Sequence, residues 1–84
     1  MTILAAFTIA QVLVLWSGPA PACEQLGGTI VRSAPTLAEA AVKAQKPAAS
    51  RGATHLWVSR AWEGNGWAKV ETVAYRCEQS NEGK

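Results

Sequence analysis

The chain has 84 residues, eight Lys or Arg against six Asp or Glu, and a formal net charge of +2. One domain at most fits that length, and so small a charge is no nucleic-acid footprint. With no Asp and a single His, most hydrolytic mechanisms lack their positioned acids and bases, so no enzyme activity and no cofactor are expected.

Met1 to Cys23 carries no charged side chain, and Ile3 to Trp16 is apolar except for Thr8 and Gln11. That run has the length of a signal-peptide core and is short of the roughly 20 residues a membrane-spanning helix needs. Ser17-Gly18-Pro19 breaks it, and Ala20-Pro21-Ala22 offers the small residues of an A-x-A cleavage site. Residues 1–22 therefore read as a signal peptide, although Lys and Arg are missing from its start. An uncleaved anchor is the alternative. If the first 22 of the 84 residues are removed, 62 remain, few enough to need a staple. Cys23 and Cys77 are the only cysteines, and in an exported small domain two cysteines usually pair. Lipidation of Cys23 competes with that pairing.

After a short lead-in, Gly27-Gly28 permits a turn and Thr29 to Ser33 reads as a first strand. Thr36 and Glu39 form a capping box that starts a helix. Leu37, Ala40, Ala41, Ala44 and Ala48 share its apolar face. Pro47 should kink that helix or end it near Lys46. Gly52 stands where a C-terminal cap belongs.

The second strand runs from about Ala53 to Trp62, and Gly52 to Arg60 is expected to be the central strand of the sheet. Asn65-Gly66 signals a hairpin into a third strand, Trp67 to Cys77. A two-residue turn sets Arg60 against Glu71, Val58 against Val73 and Leu56 against Tyr75. Leu56, Val58, Val73 and Tyr75 then form the core face, leaving His55, Trp57, Ser59, Thr72, Ala74 and Arg76 on the other. Residues 80–84 read as a disordered tail. The expected fold is α+β, of β-α-β-β order, with one helix on a three-stranded mixed sheet in a domain spanning 23–79. The first two strands run parallel and the hairpin reverses the third. Cys23 and Cys77 therefore arrive at the same end of the sheet, where a single disulfide can close it.

These pieces resemble a family of small uncharacterised bacterial envelope domains, many of them lipoproteins. The resemblance rests on Cys23, Leu26-Gly27, the alanine- and lysine-bearing helix, Gly52-Ala53-Thr54-His55 and Ala74-Tyr75-Arg76-Cys77. More loosely, the chain is similar to the outer-membrane lipoproteins that feed the Rcs envelope-stress phosphorelay. The resemblance implies a protein exported to the periplasm or cell envelope, with no established enzyme activity. Pro47 and the residues before Cys23 depart from the family pattern.

Several side chains invite functional readings. His55, Trp57 and Arg76 form the candidate interaction surface, with another envelope protein as partner. No nucleic acid is expected, and membrane association is expected only through the leader or a lipid on Cys23. Trp57, Trp62 and Trp67 with Tyr75 read either as core and hairpin cover or as a binding platform. Lys43, Lys46 and Arg51 make a basic helix edge. The rival function is an exported metal-binding or thiol-redox domain using Cys23, Cys77 and His55, though no C-x-x-C or H-x-x-x-H spacing accompanies them and no metal is assigned.

Overall fold

Helix α1 spans Leu37–Ser50, and its start follows the capping box: the Glu39 amide donates to the Thr36 side chain at 3.2 Å. The computed structural model describes residues 12–18 and 20–77. The expected tail over 80–84 and the first eleven residues of the expected leader lie outside that range. Ala40, Ala41, Ala44 and Ala48 are buried, so the alanine stripe packs on the sheet as its spacing requires. The helix does not end near Lys46 but continues through Pro47. Pro47 sits in the last turn and has no amide to donate to the Lys43 carbonyl. Fully buried Ala44 and Ala48 hold that turn against the sheet, and this packing overrides the proline's preference. Gly52, at φ 87°, donates to the Ala49 carbonyl and Ala53 to the Ala48 carbonyl. Two such bonds around a left-handed glycine make a Schellman cap.

The sheet has five strands rather than three. They are β1 (Leu13–Leu15), β2 (Glu24–Gln25), β3 (Ile30–Ala34), β4 (His55–Gly64) and β5 (Trp67–Arg76). β5 is the hub, pairing antiparallel with β4 on one side and with both β2 and β3 on the other. β3 and β4 thus run in the same direction, as expected, but β5 lies between them. β4, expected at the centre, has β5 inside and, among the described residues, only β1 outside, paired in parallel at His55, Leu56 and Trp57.

The hairpin begins in the expected register, with Gly64 opposite Trp67 and Arg60 opposite Glu71. A bulge between Val58 and Arg60 then inserts Ser59, so Val58 faces Thr72 and Leu56 faces Ala74. A shift of one residue exchanges the faces of a strand. Thr72 and Ala74 therefore join Leu56 and Val58 beneath the helix, while Val73 and Tyr75, expected in that layer, turn to the opposite face. Thr72 is fully buried and its hydroxyl donates to the Ile30 carbonyl at 2.8 Å, which satisfies the one polar side chain in the layer.

One core cluster joins Val12, Ile30, Ala44, Ala48, Ala53, Leu56 and Ala74; a second joins Ala34, Ala40, Val58 and Val70. Val14 packs against both. Most of these side chains are small, so each contributes little area, and covalent closure matters correspondingly more. Cys23 and Cys77 form that closure as a disulfide with a Cα–Cα distance of 4.9 Å.

Candidate functional site

The disulfide end is built by β2, β5 and the loop entering β4. Glu24 pairs with Arg76 across the two strands, and the Arg76 guanidinium donates to the Glu24 carboxylate at 3.2 Å. The Thr54 hydroxyl accepts from the Cys77 amide at 2.9 Å and lies 2.8 Å from Nδ1 of His55. A hollow of about 490 Å³ is lined by Ala22, Cys23, Glu24, Thr54, Arg76 and Cys77. Both sulfurs are bonded to each other, so neither is a nucleophile, a metal ligand or a lipid attachment point in this state. Among the described residues, no group of three or more His, Cys, Asp or Glu is gathered around a common point.

The three residues of the expected interaction surface are not on one face. His55 stands opposite Tyr75, and Trp57 opposite Val73, on the side away from the helix. Arg76 alternates with Tyr75 and so points to the helix side, beside Glu24. Trp57 is half-buried, and its indole N–H donates to the Gly18 carbonyl at 2.9 Å. Between Leu15 and Glu24 the chain must travel from the β4 edge to the β5 edge. The Trp57 bond ties Gly18 to the face away from the helix, the face on which Val73 and Tyr75 are buried.

The same face continues along the hairpin, where no described strand or helix covers it. Trp62 and Lys69 are opposite each other, and the Lys69 ammonium lies 5.3 Å from the centre of the Trp62 ring, a cation–π arrangement. Trp62 and Trp67 are 39% and 48% exposed, against a half-buried Trp57. Arg60 and Glu71 add an ion pair at 3.9 Å, exposed and therefore weak. Of the four aromatic residues considered as a platform, Tyr75 is core, Trp57 is capped, and Trp62 and Trp67 are open.

The basic helix edge is largely committed elsewhere. Arg51 donates to the Leu26 and Gly28 carbonyls, each at 2.8 Å, and Lys43 donates to the Ser33 carbonyl at 3.1 Å. Gly27, at φ 75°, lies beneath the Arg51 guanidinium, where a Cβ would come within 2.9 Å of it.

Sequence reasoning assigned residues 1–22 to a leader outside the folded domain, whereas Val12 to Leu15 lies along the sheet edge and Gly18 accepts a bond from Trp57. Val12 is 4% exposed, and its carbonyl accepts from the Gln45 side chain at 2.6 Å. Val12 and Val14 are spaced two apart, which was the available signal, but they are embedded in a continuous apolar run that hides the alternation. Comparison with family models, curated proteins and solved structures returned no match, so the functional reading rests on the residues themselves.

Proposed function

We propose that this chain is an exported, non-enzymatic domain of the bacterial cell envelope that binds another protein through the aromatic face of its hairpin. The disulfide supports export, because such bonds persist in oxidising compartments and are rare in the cytosol. The apolar run before Ala20-Pro21-Ala22 supports it independently, and the resemblance to small envelope domains agrees. No helix among the described residues is long and apolar enough to cross a membrane. With its sulfur bonded to Cys77, Cys23 anchors no lipid through that atom.

The observation that carries the binding role is the pair of exposed tryptophans, Trp62 and Trp67, beside Lys69 on the face without a helix. Tryptophan is enriched at the energetic centres of interfaces, and a neighbouring cation adds polar recognition. This moves the contact surface along the sheet from His55 and Trp57, which lie beside the N-terminal crossover.

The test is made on protein produced in a bacterium with its natural N-terminus. Its mass should correspond to cleavage before Cys23 and be two hydrogens lighter than the dithiol. Crosslinking in the envelope should give one adduct that disappears in the Trp62→Ala, Trp67→Ala double variant while the fold persists. An uncleaved reduced chain, or an unchanged adduct in the double variant, overturns the reading.

A further inference from the structure

The geometry points to a second binding site: the outer edge of β4 is a groove for an extended apolar peptide, which residues 12–18 fill from within the chain. Three features make it a groove rather than an ordinary edge. Over His55 to Trp57 the β4 backbone pairs in parallel with β1, and the Leu13 amide donates to the Thr54 carbonyl at 3.0 Å. Val12 and Val14 descend on the helix side, into the cluster that contains Ala44, Ala48 and Leu56. At either end of the segment a side chain donates to a backbone carbonyl: Gln45 to Val12 at 2.6 Å and Trp57 to Gly18 at 2.9 Å.

Those two bonds read main chain, not side chain, so they serve any strand laid in the same direction. Selectivity rests in the two inward positions, which take small branched apolar side chains. Leu13 on the other face is 57% exposed and selects little. This is the arrangement by which a sheet edge recognises a peptide: main-chain bonds hold it, and pockets for alternate side chains choose it. The occupant is thus a partner's extended segment with Val or a similar residue at alternate positions.

The inference rests on the export reading in one respect. Cleavage before Cys23 removes β1, leaves the outer edge of β4 unpaired over His55 to Trp57 and empties the valine slots. An unpaired apolar edge is otherwise a liability, and here α1 supplies Gln45 to address its occupant.

The probe is a fluorescent peptide with the sequence of Val12 to Gly18, compared with the same peptide carrying Val12→Asp and Val14→Asp. It is titrated into disulfide-intact protein recovered from the periplasm, after its mass has been read. The expected result is at least tenfold tighter binding of the valine peptide, weakened in the Gln45→Ala protein, with no binding to the uncleaved wild-type chain, whose groove is full. Equal binding of both peptides, binding of neither to a folded cleaved chain, loss of fold on cleavage, or a concentration-dependent dimer through β4 that excludes the peptide each overturns the proposal. If the mass shows an uncleaved chain, cleavage before Cys23 fails but the groove does not. It is then judged on the full chain carrying Val14→Asp, which frees the groove: binding of the valine peptide supports the proposal and no binding overturns it.

Discussion

The two edges of the sheet are closed by different means. Along β5 the outer edge is covered by β3 over five residue pairs and by β2 over two more. That side is bolted by the Cys23–Cys77 bond, by Arg51 on the Leu26 and Gly28 carbonyls, and by the buried Thr72 hydroxyl on Ile30. Along β4 the outer edge is covered over three residues by β1, and nothing covalent fastens β1 to it. Among the described residues no strand pairs with the outer side of β4 beyond Trp57. One edge is therefore structural. The other is occupied by a short segment that contributes Val12 to the core cluster and that, on the proposal above, is replaceable by a partner's strand.

Breaking the fastened edge should have the largest effect. Replacing both cysteines by Ser removes a closure across 54 positions of sequence. In the chain-entropy model that costs about 4 kcal/mol, enough to unfold so small a domain at 37 °C. Chemical denaturation of the variant, with and without reductant on the wild type, checks it; an unchanged midpoint would mean the bond is ornamental.

Next comes the bolt beneath the helix terminus. Arg51→Ala frees two exposed carbonyls of the Leu26–Gly28 loop, and about 1.5 kcal/mol should be lost, the low end for bonds from a charged donor. Gly27→Ala should cost about as much, because its left-handed backbone is strained in any residue with a Cβ. Urea midpoints of the two single variants and of their double variant provide the measurement. The double should fall short of the sum of the singles only by the crowding of the new Cβ against the Arg51 guanidinium, since the backbone strain at Gly27 stays when Arg51 is removed.

The loosely held edge should respond differently. Val14→Asp removes the contact of a partly buried valine, which is worth less than the roughly 1.5–3 kcal/mol of full burial. The loss should appear as faster exchange of the β4 amides that face β1, with β5 unaffected. Smallest of all is Trp62→Ala with Trp67→Ala. Being surface changes, they should alter stability by no more than about 0.5 kcal/mol each while removing the envelope adduct. A large fall in stability would return those tryptophans to a structural role.

The strongly fastened parts were also the legible ones. Thr36 with Glu39 announced the helix, the alanine spacing named its buried side, and Asn65-Gly66 set the hairpin. Cys23 and Cys77 met where strand directions alone sent them. The parts missed have physical reasons. The bulge at Ser59 leaves no compositional trace, yet it moved Val73 and Tyr75 off the helix side and separated Arg76 from His55. Pro47 was given its cost within a helix, but buried Ala44 and Ala48 hold the helix on past it. β1 was hidden because an export leader and a strand filling a hydrophobic slot call for the same residues. The candidate surface was thus legible as aromatic and cationic, but its position along the hairpin depended on one inserted residue.

Native-state hydrogen exchange on the intact chain compares the two edges in one experiment. The account predicts that the β4 amides facing β1 open well before global unfolding, while the β5 amides facing β3 exchange only when the whole molecule unfolds. Equal protection on both sides would make β1 an integral strand and contradict the idea of a releasable occupant.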